Sequence, residues 1–397
     1  MSALQDQSAG RVTLARVKEV VESRHLWIYA GFVQAATGDP KAGDVVDVFL
    51  PTGRLYARGF YNPVSKIRVR ILTFHDEPID EAFWRTRIAQ AVRLRRRVVT
   101  GTNGFRLVYG EADLLPGLIV DQYDDVLVMQ TLSAGMDRRK EQLAKWLCEE
   151  SGARRVYLRN DAKSRMLEGL PQETGFLLGA GATTVEIVEE KARFLVDIAK
   201  GQKTGWFCDQ RENRLAAAQF APDAEVLDVF CHTGAFGVHM AMAGARLLEG
   251  LDVSEEALAM ARRHASINKV ESRCTYRCAD ALDEMRRLEK VGRRYDVVML
   301  DPPAFARSKQ AVPRALAGYK DVNLYGIRLT KAEGIMITSS CSHHVSEQDL
   351  WRVLCRAAHD AGRSIRLLEQ RGQAKDHPIL AAMPETRYLK CFVLQVL

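Results

Sequence analysis

The sequence predicts an α/β protein. A doubly wound, mainly parallel sheet fills the carboxyl-terminal half, preceded by a β-rich segment and a small α+β unit. Three observations carry this. From about residue 191, short apolar runs such as EVLDVF and YDVVML alternate with helical stretches such as SEEALAMARRHASIN, the alternation that builds parallel sheets flanked by helices. Residues 11–72 read mostly as strand. And 397 residues exceed what one ordinary domain holds, so two or three are expected.

Along the chain, DVVDVFLPTGRLYARGFY holds two strand runs broken at Pro51-Thr52-Gly53, a hairpin signal. KIRVRIL alternates polar and apolar, as a half-buried strand does. Residues 80–99 predict an amphipathic helix with Asp80 as N-cap and Trp84, Ile88, Val92 and the stem of Arg95 on one face. Its arginines between 85 and 97 suffice to grip phosphates, although a solvated face accounts for them as well. GLIVDQYDDVLVMQTL reads as a hairpin turning at Tyr123-Asp124-Asp125, and 137–151 as another helix. Arg159, Asp161, Arg165 and Glu168 suit a structural ion network between domains.

Beyond residue 191 the elements follow one another closely. A buried strand, EVLDVF, leads into a helix from Thr233 to Ala243, and ARLLEGLDVS is a strand ending in an acid. The next helix has Ser254 as N-cap and Glu255 and Glu256 at its positive end. SRCTYRCAD reads as a strand ending in Asp280, YDVVML as one ending in Asp301, and EGIMITSS as one ending at Cys341.

Composition narrows the function. Apolar residues make up 47% and charged residues 27%, ordinary for a globular protein. The net charge of +7 permits a polyanionic partner without requiring one. Residues 1–75 and 191–397 carry more bases than acids, and residues 76–190 do not. No stretch approaches the roughly 18 apolar residues of a membrane helix, and MSALQDQSAG lacks the pattern of a secretory signal. A cytoplasmic protein without membrane contact is expected. The 8 cysteines form no C-x-x-C pair, so free thiols and no metal are expected.

In doubly wound sheets, ligands bind outside the carboxyl ends of the strands. Asp228, Asp252, Asp280, Asp301 and Cys341 all fall at or near such ends. In LDVFCHTGAFG, Gly234 lets the backbone approach a ligand at a helix N-terminus. Asp252, 18 residues on, is placed to accept from ribose hydroxyls, and Asp280 from an adenine amino group. An adenosine-containing cofactor is implied. Phe230 and His232 stand where pyrophosphate loops often carry glycine, which argues against a nicotinamide dinucleotide. In DPPAF, Pro302 and Pro303 stiffen the turn after Asp301, whose carboxylate can contact a base, and Phe305 can stack on one. Acid–Pro–Pro–x–aromatic marks methyl transfer to a nucleobase or amide. Cys341 lies where an apolar run ends and a polar helix begins, a place suited to a reactive thiol. His343 and His344 read as exposed turn residues, and Cys208 and Cys231 as packing thiols.

KTGWFCDQRENR (203–214), LDVFCHTGAFG (227–237), DPPAFARSK (301–309), SSCSHH (339–344) and PETRYLKC (384–391) together resemble the RlmI-like class I methyltransferases. These are ribosomal RNA cytosine-C5 methyltransferases with an N-terminal PUA domain, and the resemblance spans nearly the whole chain. It implies a PUA-like RNA-binding domain over 1–75, a small α+β middle domain over 76–190 and a Rossmann-like catalytic domain over 191–397. It implies S-adenosylmethionine as cofactor, held by Gln210, Phe230, Thr233, Gly234, Asp252, Asp280 and Asp301. Cys341 matches the nucleophile, with Asp301 assisting; Pro302, Pro303 and Phe305 would meet the substrate. The implied partner is RNA, that of the large ribosomal subunit, and a homodimer is compatible with it. Two other readings stay open on the residues alone: a base-nitrogen methyltransferase using DPPAF without a cysteine, and an RNA-binding or ribosome-assembly protein without catalysis.

Overall fold

A computed structural model of the chain describes residues 5–6, 8–15, 18–306 and 308–397. Arg307 of the DPPAFARSK motif therefore lies outside the described residues. The chain forms two compact units: Met1–Ile187 with Val196–Cys208 and Lys375–Thr386, and Val188–Leu195 with Asp209–Ala374 and Arg387–Leu397.

The first unit holds two larger sheets. One has six strands, in the order Trp27–Tyr29, Ile67–Thr73, Leu55–Tyr61, Val45–Phe49, Arg11–Leu14 and Val33–Thr37. Val45–Phe49 and Leu55–Tyr61 are antiparallel partners about the Pro51-Thr52-Gly53 turn. Alternation places Val12, Ile28, Val46, Val48, Val69 and Ile71 in the core. The other sheet has five strands, ordered Glu173–Leu178, Arg155–Asn160, Val126–Thr131, Leu118–Tyr123 and Gly104–Tyr109. Tyr123 pairs with Val126, so the hairpin turns on Asp124 and Asp125, with Asp124 at φ 53°.

The helix Glu81–Val98 packs into this second core, and the Asp80 carboxylate accepts from the Phe83 amide at 3.0 Å, as an N-cap. Trp84, Ile88, Val92 and Arg95 are buried on one face, as their spacing predicts. Trp84 stacks on Phe60 of the six-stranded sheet, ring centroids 5.8 Å apart. Arg95 is buried because its guanidinium binds Asp113 and the Arg106 and Asp376 carbonyls. Arg85 pairs with Glu81 and Glu149. Glu168 joins the two sheets: Asn62, Ser65 and Arg70 all donate to its carboxylate.

The second unit is built on a seven-stranded sheet. Its strands along the chain are β1 (Glu225–Val229), β2 (Leu247–Asp252), β3 (Cys274–Cys278), β4 (Tyr295–Leu300), β5 (Thr330–Ser340), β6 (Ile365–Arg371) and β7 (Lys390–Val396). Spatially they run β3-β2-β1-β4-β5-β7-β6. β1 through β5 are parallel, and β7 is antiparallel to both neighbours. The helices are α1 (Arg211–Ala218), α2 (Ala235–Met242), α3 (Glu255–Ile267), α4 (Ala281–Lys290), α5 (Val312–Leu329) and α6 (Glu347–Ala361). The core strands carry near-continuous apolar runs, among them Val226, Leu227, Val229, Val297, Val298, Met299 and Leu300, as sheets covered on both faces require. Strand order reverses between β1 and β4, so a crevice opens outside their carboxyl ends. No described helix is long and apolar enough to cross a membrane.

Candidate active site

The crevice is framed by the loop after β1. Phe230, His232 and Gly234 have φ of 64°, 49° and 76°, three left-handed residues within five. Two are not glycine, so the loop stores backbone strain of the kind found at functional sites, about 1–3 kcal/mol for each such residue. Gly234 is obligatory: a Cβ there would lie 2.9 Å from the Ala261 Cβ and 3.0 Å from the Tyr276 hydroxyl. The Thr233 carbonyl accepts from His264 at 2.8 Å.

Asp252 closes β2 and holds this loop. One carboxylate oxygen accepts from the His232 amide at 2.9 Å, the other from the Ser254 amide at 2.9 Å. Each oxygen keeps acceptor capacity for a ligand hydroxyl. Asp228 is buried within β1 and accepts from the Gly237 amide at 3.1 Å. Burial and the nearby carboxylates of Asp301 and Asp252 push its carboxyl up to about 8. Asp280 does not end a strand as the sequence predicts. β3 stops at Cys278, and exposed Asp280 caps α4 instead, accepting from the Asp283 amide at 3.1 Å. Its capping bond uses one oxygen.

Asp301 follows β4, and its side chain accepts from the Gln210 amide at 3.0 Å. Gln210 is itself held: Asn213 donates to its oxygen at 2.7 Å, and Arg371 donates to Asn213 at 3.0 Å. This relay orients the carboxylate across elements far apart in sequence. Pro302 is buried and Pro303 exposed. Phe305 is half-buried, its ring 4.7 Å from that of Tyr319 on α5.

Cys341 comes directly after β5, half-buried rather than fully exposed. Leu300 pairs with Thr338, so Asp301 and Cys341 emerge from the carboxyl ends of adjacent parallel strands. The turn is clamped on both sides. The Tyr319 hydroxyl lies 2.9 Å from those of Ser340 and Ser342, and the Ser342 hydroxyl accepts from the Ala306 amide of the DPPAF loop. His343 and His344 are exposed turn residues, as expected, and His343 also stacks on Tyr388, centroids 5.2 Å apart. Cys231 is a packing thiol, and burial pushes its pKa well above the ordinary value.

The structure thus brings Gln210, Phe230, Thr233, Gly234, Asp252, Asp301 and Cys341 to the carboxyl side of one sheet. Tyr319, Asn213 and Lys390 escaped the sequence reading, because each acts through partners remote in sequence. The one local signal was a lysine opening the apolar run KCFVLQV. Acids at the ends of β2 and β4, beside a strained loop lacking the glycines of a pyrophosphate cradle, suit a nucleoside with free hydroxyls.

Comparison with known proteins bears on the family and the fold. Residues 14–74 match the PUA-like domain family, and residues 140–320 match the S-adenosylmethionine-dependent methyltransferase family. The ribosomal RNA large subunit methyltransferase I of Alteromonas mediterranea is 40% identical over 94% of this chain and 95% of its own length. That of Shewanella amazonensis is 41% identical over 95% and 96%. Among solved structures, a protein provisionally named a methyltransferase and complexed with SAH covers 98% of this chain and 100% of its own, with a TM-score of 0.83 at 17% identity. A second, from Streptococcus mutans, has a TM-score of 0.82 at 16% identity and covers 97% of this chain and 99% of its own. At such identities these two establish the fold. With near-complete coverage at about 40% identity, the chain belongs to the ribosomal RNA large subunit methyltransferase I family, as an S-adenosylmethionine-dependent enzyme with a PUA-like domain and a Rossmann-like catalytic domain.

Proposed function

We propose that the protein methylates C5 of a cytosine in large-subunit ribosomal RNA, with Cys341 as nucleophile and Asp301 as its partner across the base. The observation that carries this reading is the emergence of Asp301 and Cys341 from adjacent strands beside the switch point, their loops joined through Ser342 and Ala306. The relatives' names support the RNA substrate. The reaction belongs in the cytoplasm, on RNA presented in part by residues 1–75.

Gln210, Phe230, Thr233, Gly234, Asp252, Asp280 and Asp301 would hold S-adenosylmethionine. Asp252 accepts from ribose hydroxyls and Asp280 from the adenine amine. Bound there, the cofactor supplies an electrophilic methyl group on a sulfonium. C5 of cytosine is a poor nucleophile, and Cys341 remedies that. Its thiolate adds to C6, the ring becomes an enamine, and C5 gains the electron density to take a methyl group. Asp301, its carboxylate oriented by Gln210, assists protonation at N3 as C6 is attacked. Loss of the C5 proton and release of the thiolate then complete the cycle. The target base must leave its stack to reach both groups, flanked by Pro302, Pro303 and Phe305, at a cost of a few kcal/mol.

RNA carrying 5-fluorocytosine at the target tests the reading, because loss of the C5 substituent is then blocked. Wild-type enzyme is expected to remain as a covalent adduct stable in denaturing gels. Cys341→Ala keeps cofactor binding, forms no adduct and loses methylation. If Cys341→Ala methylates at a near wild-type rate, transfer to a base nitrogen replaces this reading.

A further inference from the structure

A thiol that must attack as thiolate needs a source of positive potential, because a cysteine with a pKa near 8.5 is only a few per cent ionised at pH 7. The sequence suggests the N-terminus of α6, besides the charge of a nearby sulfonium. That helix starts after Ser346, whose hydroxyl and Asp349 already form a capping box, with Glu347 and Asp349 adding negative charge to its first turn. The helix end is therefore largely neutralised.

A cation is present on the other side. Lys390 is the first residue of β7 and stands opposite Ser340, the residue before Cys341, in the antiparallel register. Its side chain is buried. Nζ donates to the Ser342 carbonyl at 2.7 Å and to the Tyr388 carbonyl at 2.8 Å. Both partners are neutral carbonyls. The amine is thus fixed at the base of the turn that carries Cys341, with two of its hydrogens committed and one position left over.

We propose that Lys390 is a positioning residue whose ammonium, fixed under the turn, stabilises the attacking thiolate of Cys341. The inference rests on the reading of Cys341 as nucleophile. The S–H bond breaks with its electron pair kept on sulfur, and the proton passes to water. A neutral thiol beside an ammonium becomes a thiolate–ammonium pair, and the released proton balances the charge. When the thiolate leaves C6 at the end of the cycle, the same pair is restored.

The surroundings favour such a couple. Burial lowers the lysine to about 8, opposed by the attraction of Cys341 and Glu347 and assisted by Arg387. At pH 7 a lysine at that value is still mostly ammonium, so the charge is present when Cys341 must ionise. The other charges facing it offset one another. Arg387 pairs with Glu347 at 2.7 Å. Ser340, opposite Lys390 in the register, meets the Tyr319 hydroxyl of α5.

The test is the pH dependence of Cys341 alkylation by iodoacetamide, followed by peptide mass spectrometry in the full chain. It needs no methyl transfer, so it stands apart from whether Cys341 is the nucleophile, which the fluorocytosine adduct decides. Wild-type protein is expected to show a midpoint well below 8.5. Lys390→Met should raise that midpoint by a unit or more, slowing alkylation about tenfold at pH 7. Lys390→Arg, which keeps the charge, should hold the midpoint low. If Lys390→Met lowers methylation or melting temperature while the midpoint stays in place, Lys390 is only structural and the proposal falls. Should that variant not fold, the wild-type profile decides: a midpoint at or above 8.5 overturns the proposal.

Discussion

Tyr319 and Ser342 meet through their hydroxyls at 2.9 Å, both buried, one in the middle of α5 and the other just past Cys341. The same Tyr319 hydroxyl also meets that of Ser340, so a single phenol spans the two neighbours of the cysteine. It acts as a brace against movement of the turn.

Tyr319→Phe should therefore loosen the turn without emptying the core. Two buried serine hydroxyls lose a partner, at a cost of about 1–3 kcal/mol. The expected outcome is a lower urea midpoint and a reduced kcat with an unchanged dissociation constant for S-adenosylmethionine. A kcat equal to that of the wild type would remove the brace from the account.

Asp252 holds the strained loop and offers acceptors to the ribose. Asp252→Asn replaces one acceptor oxygen by a donor that faces a backbone N–H, so the loop contact and the ligand contact weaken together. Bonds to a charged acceptor contribute on the order of 1.5–3 kcal/mol, and cofactor affinity should fall roughly 10- to 100-fold by titration calorimetry.

Asp228 gives a pH signature. With its carboxyl pushed up to about 8, it keeps a proton in the folded chain that the unfolded chain releases above about 4. Its contribution to stability thus falls as pH rises across that window, by at most about 1.4 kcal/mol per pH unit. Asp228→Asn keeps an acceptor for Gly237 and does not titrate. Denaturation at several pH values should find the variant gaining on the wild type from pH 5 to pH 8, with no difference near pH 4.

Glu189 gives the opposite sign. Burial alone would raise its pKa, but Arg214 and His239, paired to its two oxygens, hold it well below the usual carboxylate range. The stabilisation is complete above the unfolded value of about 4.3 and is lost as pH falls through the depressed one. Glu189→Gln leaves Arg214 buried without its carboxylate and should cost about 3–5 kcal/mol at pH 7. The gap to the wild type should narrow as the solution is acidified.

By itself the amino-acid sequence determined whatever depends on near neighbours. Alternation and turn residues set the hairpins at Pro51-Thr52-Gly53 and Asp124-Asp125, and side-chain oxygens set the caps at Asp80 and Ser254. Apolar runs alternating with helices were enough for the parallel sheet, and with it for the acids and Cys341 at strand ends, because a parallel strand must be followed by a crossover. Tertiary structure decided the rest. Gln210 reaches Asp301, Arg371 steadies Asn213, Tyr319 braces Ser342, and Lys390 lies under the Cys341 turn, in pairings that span from tens of residues to more than a hundred. Such contacts leave no periodicity in the chain. Asp280 and Phe305 take further partners in the folded chain: Asp280 caps α4 and Phe305 packs on Tyr319. A side chain's partner is set by which elements the sheet order brings together, and that order follows from burial of the whole core rather than from any local run of residues.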